Sequence, residues 1–284
     1  MENRLKKIAV TAPTSVVGSN FIKYVEDKFE IVTVGWRESD IFCDFSKDDR
    51  LLLPVGVESV VHIAGILCAE NDNEVLNMMH TNVIGTLKLC IAAKESGVKH
   101  VVFISSVNAG LTQNSPYYSY YAMSKKQAEE AARLYCKKND IALCIIRPGQ
   151  IFGVDWSFSK TQPLLYHMIK SAIENKPINI YGRHDALRNY IFADNLFRII
   201  QYTVDNLMDT DINVIDRKNY LLSEAAEIII NACQSRSTIH FLENEADMAD
   251  NPFYDEIDIF SKWNIPFTGF PDAMKQIAEC YKTK

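Results

Sequence analysis

Near its start the sequence carries Ile8-Ala9-Val10-Thr11, an apolar run that leads into Ala12-Pro13-Thr14-Ser15-Val16-Val17-Gly18. Such a short and nearly continuous apolar run is typical of a strand that is buried on both faces, as in a parallel sheet. The residues that follow it predict a turn and then a helix. This order of strand, turn and helix indicates the first unit of a β-α-β fold.

Runs of the same kind recur in the first half of the chain, at residues 31–34, 59–63, 101–105 and 143–147. Between them, residues 70–97 and 121–139 carry apolar side chains at helical spacing, and Gly97 suits the end of the first of these helices. The alternation of buried strands with amphipathic helices predicts a Rossmann-like α/β fold with a doubly wound parallel sheet.

The residues after Pro148 have a more mixed pattern. Strands are predicted at 178–181 and 212–215, and helices at 163–174, 223–232 and 271–281. A length of 284 residues is too great for one small module and short for two independent domains. We therefore predict a Rossmann core over residues 1–153 and a smaller C-terminal α/β lobe over residues 154–284, some segments of which return to the core.

The composition is that of an ordinary globular chain, with 48% hydrophobic and 23% charged residues. A net charge of −6 disfavours nucleic acid and anionic membranes as partners. No apolar run approaches the roughly 20 residues that span a bilayer, and no signal peptide follows Met1, so a cytoplasmic protein is expected. The seven cysteines form no C-x-x-C pair. They are expected to be buried, reduced thiols, and no metal site is expected.

The turn after the first strand lies where a dinucleotide-binding fold sets a pyrophosphate against a helix N-terminus. A typical loop reads T-G-x-x-G-x-x-G, whereas Ala12 and Ser15 stand at the first two glycine positions here and only Gly18 is kept. Glycine is favoured because the backbone must turn tightly and approach phosphate. Taken alone, the segment fits either a phosphate-binding loop or an ordinary strand-to-helix turn.

A second pattern is Tyr121-Ala122-Met123-Ser124-Lys125, which opens a predicted helix after a strand that ends in Ser105-Ser106. Residues four apart share one face of a helix, so the Lys125 ammonium can lower the pKa of the Tyr121 phenol. Tyrosinate could then exchange a proton with a sugar hydroxyl. The alternative is a solvated lysine beside a packed tyrosine, and the position after the serine strand favours the chemical interpretation.

On these motifs the chain resembles, nearly end to end, the extended short-chain dehydrogenase/reductase family in its NAD-dependent nucleotide-sugar epimerase/dehydratase branch. Further stretches that carry the resemblance are His62-Ile63-Ala64-Gly65, Asn82-Val83-Ile84-Gly85-Thr86, residues 101–106, Arg147-Pro148-Gly149-Gln150-Ile151-Phe152-Gly153, and the segment from Tyr181-Gly182 to Arg188-Asn189-Tyr190-Ile191-Phe192-Ala193-Asp194. The resemblance implies a nicotinamide-dependent enzyme that acts at C4 of a nucleotide-sugar.

The resemblance also implies a role for individual residues. Tyr121 would be the acid/base, Lys125 would grip the nicotinamide ribose, and Ser106 would orient the substrate oxygen. Contacts to NAD or NADP are implied for Thr11, Ala12, Ser15, Val16, Val17, Gly18, Arg37, Asp44, Ala64, Gly65, Asn82, Ser105, Tyr121, Lys125 and Pro148. Substrate contacts are implied for Ser106, Asn108, Tyr121 and Arg188.

Several of these assignments keep an alternative. Asn82 fits a position beside a proton-relay water or a buried structural amide. Arg188 fits a substrate diphosphate, whose oxygens a guanidinium binds in pairs, or a surface ion pair with Asp185. Arg37 favours NADP and Glu38 favours NAD, so the cofactor phosphate stays open.

One departure from the family concerns the reaction. Val107-Asn108 follow Ser106 where a 4,6-dehydratase would carry Asp-Glu, which disfavours dehydration. An epimerase, a 4-keto-sugar reductase, and a non-catalytic binding or regulatory subunit with a degenerate loop remain. The complete triad favours an enzyme. The helices at 70–97 and 121–139 resemble those that pair across a two-fold axis in the family, so a homodimer is expected.

Overall fold

The structure is a computed structural model that describes residues 4–47 and 50–282. In chain order its elements begin with β1 (Lys7–Thr11), α1 (Val16–Val25), β2 (Glu30–Gly35), β3 (Ile41–Phe42), β4 (Ser59–His62), α2 (Asp72–Met79), α3 (Gly85–Glu95), β5 (His100–Ile104), α4 (Tyr120–Lys138) and β6 (Ala142–Pro148). They continue with β7 (Gln150–Phe152), α5 (Pro163–Ile173), β8 (Ile178–Tyr181), β9 (Leu187–Arg188), β10 (Tyr190–Phe192), α6 (Ala193–Asp205), β11 (Thr210–Val214), β12 (Tyr220–Leu221), α7 (Leu222–Cys233), β13 (Ile239–Leu242), α8 (Ile259–Lys262) and α9 (Phe270–Lys282).

The backbone divides into two compact units. The first contains the residues up to Arg147 together with Phe197–Asn213, and the second contains Pro148–Leu196 and the residues from Val214. A seven-stranded sheet in the order β11-β6-β5-β4-β1-β2-β3 is the centre of the first unit. Its strands from β6 to β3 run parallel, which confirms the predicted Rossmann-like α/β fold.

The parallel order explains why the strands are so apolar. All residues of β4 and β5 are buried, because helices cover both faces of the sheet. Ala9 on β1 pairs with Val32 on one side and Val60 on the other, so the first predicted strand lies in the middle of the sheet. The carboxyl ends of β1, β4 and β5 therefore open onto one edge, where such folds bind ligands.

The helix predicted over residues 70–97 is interrupted. Between α2 and α3, His80–Ile84 form one turn of π-helix, and Gly97 follows the second helix with a φ of +75°. The hydroxyl of Thr86 donates to the Asn82 carbonyl at 2.6 Å within this segment. An insertion of this kind turns side chains toward a new direction and is frequent at functional sites.

The second unit contains three two-stranded pairings, β7 with β10, β9 with β12, and β8 with β13. Its core includes stacked and tilted aromatic rings, since the Phe270 ring lies 5.5 Å from Tyr190 and 5.0 Å from Tyr220 between centroids. The helices predicted at 163–174, 223–232 and 271–281 are α5, α7 and α9.

The prediction that all cysteines are buried was wrong for three of them. Cys43, Cys90, Cys136 and Cys144 are buried, whereas Cys68 and Cys280 are exposed and Cys233 is partly exposed. Cys280 lies on the amphipathic helix α9, and burial there follows the face of the helix rather than the residue type. Within the described residues, no helix combines the length and apolar character that a bilayer crossing requires.

Candidate functional site

The loop between β1 and α1 has residues other than glycine at two positions where glycine is typical, and the backbone angles there show the effect. Ala12 has a φ of +54°, in the left-handed region that favours glycine. Ser15, at the second glycine position, has an ordinary φ of −73°. The absence of glycine therefore places backbone strain at Ala12 and none at Ser15.

The hydroxyl of Ser15 closes this loop. It donates to the carbonyl of Ala12 at 2.8 Å and accepts from the amide of Gly18 at 3.0 Å, which caps the N-terminus of α1. Val16 and Val17 form the first turn of that helix. A Cβ on Gly18 would lie 2.1 Å from the Ala12 carbonyl oxygen, so only glycine allows the helix to start this close to the strand.

A cavity of about 470 Å³ lies beside this loop. It is lined by Ala12, Pro13, Thr14, Ser15, Gly35, Trp36, Cys43, Asp44, Phe45, Ser46, Ala64, Gly65, Ile66, Asn77 and Thr81. The predicted cofactor residues Ala12, Ser15, Asp44, Ala64 and Gly65 are thus brought together. The cavity is of the size and partly apolar character of a small-molecule or cofactor site.

The cavity contains features that fit a polar ligand. The Oγ1 of Thr81 is buried and, among the described residues, has no hydrogen-bond partner. A buried hydroxyl without a partner is costly, and a ligand group in the cavity would satisfy it. Neither Thr81 nor Asn77 was predicted from the sequence. Thr81 lies in the π-helical turn, which the sequence pattern did not predict.

Residues after β2 and β3 also line the cavity. The guanidinium of Arg37 stacks on the Trp36 ring at 3.8 Å from its centroid, and Trp36 lines the cavity. Asp44 accepts from the Ser46 hydroxyl at 2.7 Å and from the Ser46 amide at 3.0 Å. These hydrogen bonds lower the pKa of Asp44, so it is a carboxylate at neutral pH.

A buried hydrogen-bond network supports the floor of the site. The hydroxyl of Thr11 accepts from the amides of Ile63 and Ala64 at 2.9 and 3.0 Å, and also contacts His62 Nδ1 at 3.1 Å. Burial lowers the pKa of His62 to about 3, and the positive charge of Lys125 adds to this. His62 is therefore a neutral structural group.

Asn82 holds the loop after β4 to the helices. Its side chain accepts from the Ile66 amide at 2.8 Å and donates to the Ile66 carbonyl and the Ser124 hydroxyl, both at 2.9 Å. A Cβ on Gly65 would lie 3.3 Å from both the Asn82 amide oxygen and the Lys125 Nζ. These contacts make Asn82 a buried amide in the protein as it stands, and a contact to cofactor stays a prediction.

Ser106, Tyr121 and Lys125 come together at the end of β5 and the start of α4. Ser119 caps this helix by accepting from the Ala122 amide at 3.4 Å. The Ser106 side chain lies within hydrogen-bonding reach of the Tyr121 hydroxyl and lowers the pKa of the phenol. The Nζ of Lys125 donates to the Ile104 carbonyl at 2.9 Å and lies 4.9 Å from the Phe103 ring centroid.

The electrostatics of this group differ from the sequence-based expectation. Burial raises the pKa of Tyr121 to about 12, although Ser106 lowers it in part. Burial also lowers the pKa of Lys125 to about 8. The net pKa of Tyr121 is therefore raised rather than lowered in the protein without ligand, because desolvation is the largest effect on the phenol.

The other predicted residues lie in different settings. Asn108 is in a 3-10 turn, where its amide donates to the Ser106 hydroxyl at 3.2 Å. The Ser105 hydroxyl donates to Glu129, and Pro148 ends β6. In the second unit, Arg188 is 4% exposed and its Nη1 donates to the carbonyls of Leu187 and Ala249 at 2.7 Å. The alternative placed Arg188 at the surface, which was wrong because Arg188 is buried.

Comparison with known proteins finds similarity to several 4-epimerases. Over 220 residues the chain is 28% identical to N-acetyl-alpha-D-glucosaminyl-diphospho-ditrans,octacis-undecaprenol 4-epimerase of Escherichia coli O157:H7. The alignment covers 70% of this chain and 63% of that protein. The chain thus spans less than two thirds of that relative's length.

Two solved structures show the same fold. A UDP-glucuronic acid 4-epimerase from Bacillus cereus in complex with NAD has a TM-score of 0.74 and 18% identity, over 98% of both chains. RMD from Pseudomonas aeruginosa complexed with NADPH has a TM-score of 0.77 and 15% identity, over 98% of this chain and 99% of that one. The sequence model of one family matches residues 8–214. The chain belongs to the NAD dependent epimerase/dehydratase family.

Proposed function

We propose that the protein is a nicotinamide-dependent oxidoreductase or epimerase that acts at C4 of a nucleotide-sugar through Ser106, Tyr121 and Lys125. The observation that supports this most is that Ser106 lies next to the Tyr121 phenol, with Lys125 one turn further along the same helix and its Nζ 2.9 Å from the Ile104 carbonyl. A phenol, a hydroxyl and an ammonium close together form the set of side chains that proton exchange with a sugar hydroxyl requires.

Tyr121 would transfer the proton. With a pKa near 12 it is protonated at neutral pH, and it can donate its proton to a C4 keto oxygen. Ser106, which lies next to the phenol, would hold that oxygen in place. The opposite direction requires Tyr121 to accept a proton from a C4 hydroxyl, and a cation at Lys125 favours the phenolate that does so. A bound nicotinamide would supply the hydride acceptor and donor.

The first unit would hold the cofactor and the second the substrate. This is the division of roles that the sequence predicts for residues 1–153 and 154–284. Three features support a dinucleotide of the NAD or NADP type: the capped N-terminus of α1, the cavity, and the hydroxyl of Thr81, which has no partner within residues 4–47 and 50–282. Solved relatives are recorded with NAD and with NADPH. Arg37, stacked on the cavity residue Trp36, supports NADP.

For the substrate, we propose that Arg188 contacts the diphosphate of the nucleotide-sugar. Its Nη1 is committed to two backbone carbonyls, which would fix the plane of the guanidinium. A guanidinium held in this way has a fixed orientation, and guanidinium groups bind phosphate oxygens in pairs.

Two other functions remain as second candidates. A 4-keto-sugar reductase would use the same three residues in one direction only. A non-catalytic binding subunit is favoured by one observation, the left-handed strain at Ala12, since an active loop would gain from glycine there. Dehydration is disfavoured, because neither Val107 nor Asn108 can act as the acid or base of elimination.

We also propose a homodimer through α2, α3 and α4. Leu76 and Leu134 on these helices are 67% and 59% exposed, and Ile91 is 38% exposed. Exposed apolar residues on neighbouring helices are typical of a subunit interface. Light scattering after gel filtration would give twice the mass of 32.3 kDa.

Turnover of a nucleotide-sugar panel tests the proposed function. The protein is incubated with NAD or NADP and with UDP-, GDP-, dTDP- and CDP-sugars, and NMR detects a C4 epimer. The reduced cofactor is added with 4-keto sugars to test the reductase. Failure to bind either cofactor, with no turnover of any of them, would favour the non-catalytic subunit.

A further inference from the structure

Glu129 is a buried carboxylate that the chemistry above does not use. It lies on α4, one turn beyond Lys125, and is 5% exposed. Its Oε1 accepts from the Ser105 hydroxyl at 2.5 Å and from Arg147 Nε at 2.8 Å, and its Oε2 accepts from Arg147 Nη2 at 2.5 Å. A buried charge persists only when it is paired and hydrogen-bonded, and Glu129 is both.

The contacts of Glu129 belong to a regular pattern between one strand and one helix. Ser106 lies within hydrogen-bonding reach of Tyr121, the Ile104 carbonyl accepts from Lys125, and Ser105 donates to Glu129. Ile104, Ser105 and Ser106, at the end of β5, are thus contacted by Lys125, Glu129 and Tyr121, respectively. These three residues of α4 are spaced four positions apart. This spacing places the three helical residues on one face.

The strand end is also held from its other side. The Ser105 amide donates to the Ile146 carbonyl at 2.7 Å, and Arg147 follows directly on β6. Arg147 Nη2 also lies 2.9 Å from Asp211, so its charge has a second partner apart from Glu129. The pair of Glu129 and Arg147 therefore links α4, β5 and β6 at the level of the candidate site.

We propose that Glu129 is a positioning residue of the candidate site, which fixes the end of β5 against α4 and places a negative charge one turn from the Lys125 ammonium. This inference rests on the proposed function, because it assigns Glu129 to the alignment of Ser106, Tyr121 and Lys125. Glu129 acts through these residues and contacts neither cofactor nor substrate.

The charged and titratable groups that face Lys125 come from three elements. His62 on β4 is neutral, and Tyr121 on α4 is protonated at neutral pH. Glu129 on α4 supplies the negative charge, which raises the pKa of Lys125 against the effect of burial. Arg147 on β6 pairs with Glu129 and reduces this effect without removing it. Loss of the Glu129 charge should therefore favour neutral Lys125.

The test compares Glu129→Gln with the wild-type protein, both free of ligand. The titration of Lys125 is followed by NMR with 13C-labelled lysine, and its signal is assigned by its loss in Lys125→Met. We expect the midpoint to fall by about one pH unit in Glu129→Gln. Glu130→Gln, which changes an exposed carboxylate at the next position of α4, should leave the midpoint unchanged.

Turnover supplies the second readout. In Glu129→Gln the alkaline limb of the kcat profile should move to lower pH with the Lys125 midpoint, while KM changes little. Ser105→Ala keeps the charge and removes the link to the strand, so kcat should fall severalfold with the Lys125 midpoint unchanged. Ser105→Ala also tests the link between α4 and the end of β5 if Glu129→Gln does not fold.

A wild-type Lys125 titration in folded Glu129→Gln, or a wild-type kcat in Ser105→Ala, would overturn the inference. The titration needs neither cofactor nor substrate. A lower midpoint in a protein that turns over no nucleotide-sugar would therefore support the coupling of Glu129 to Lys125 and contradict only the proposed function.

Discussion

Gly18 approaches Ala12 so closely that a Cβ on Gly18 would lie 2.1 Å from the Ala12 carbonyl oxygen. The same carbonyl accepts from the amide and the hydroxyl of Ser15. The loop is thus folded tightly around one carbonyl group, with the N-terminus of α1 directed toward the cavity. Of the three glycines typical of such loops, the chain keeps the one that this packing requires.

Replacement of Gly18 by alanine should therefore disrupt the loop. We expect Gly18→Ala to weaken binding of NAD and NADP by more than tenfold and to lower the melting temperature, because the backbone must move to admit the methyl group. Gly269→Ala is the control, since a Cβ there meets its nearest neighbour at an ordinary 3.7 Å. Titration calorimetry measures the affinities. Equal cofactor affinity in Gly18→Ala and wild type would show that the cofactor lies elsewhere.

The sequence predicted the sheet well and the walls of the cavity poorly. The apolar runs at residues 8–11 and 101–105 identify β1 and β5, because strands buried on both faces are nearly continuous in apolar residues. Thr81 could not be identified, since its exposure to the cavity depends on the π-helical turn that interrupts the predicted helix. The partners of Arg188 were equally hidden, because Ala249 lies 61 positions away in sequence.

The buried lysine should make stability depend on pH in a defined window. The pKa of Lys125 is about 8 in the folded protein, whereas a lysine exposed to solvent in the unfolded chain has the ordinary pKa of 10.5. Between these values the unfolded chain binds more protons, so the contribution of Lys125 to stability rises as pH increases through this window. At pH 7 the buried ammonium costs on the order of 3 kcal/mol relative to a lysine with an unshifted pKa.

Lys125→Met should remove the dependence of stability on pH that the titration of Lys125 causes. Urea unfolding of both proteins at pH 7 and pH 10 should show that the difference in unfolding free energy, variant minus wild type, is larger at pH 7. A difference that is the same at the two pH values would mean that Lys125 keeps its ordinary pKa in the folded protein.

Arg37 should select the cofactor. If the guanidinium stacked on Trp36 receives the 2′-phosphate, Arg37→Ala should lose a charge-assisted hydrogen bond and bind NADP about tenfold more weakly, with NAD little affected. Lys23→Ala is the control, at an exposed cation that does not line the cavity. Equal losses for NADP and NAD in Arg37→Ala would assign Arg37 to the support of Trp36 alone.

Arg188 should determine the affinity for nucleoside diphosphates. Removal of a bidentate contact costs about 1.5 to 3 kcal/mol, so Arg188→Ala should bind UDP, GDP, dTDP or CDP roughly tenfold to a hundredfold more weakly, with cofactor affinity unchanged. Arg183→Ala, at an arginine whose side chain is 75% exposed, is the control. Calorimetry is run at a temperature where each variant is folded. If none of the four nucleotides binds to wild type, the nucleotide-sugar assignment is wrong.

The central claim is that Tyr121 transfers the proton at C4, and Tyr121→Phe tests it most directly. The substitution removes the phenolic oxygen and leaves the ring, so cofactor affinity and melting temperature should stay close to those of wild type. The measurement is kcat for the nucleotide-sugar that the wild-type protein turns over. General acid/base catalysis contributes about a hundredfold or more, so we predict at least this loss. A Tyr121→Phe protein that binds cofactor and retains more than about a tenth of wild-type kcat would contradict the account.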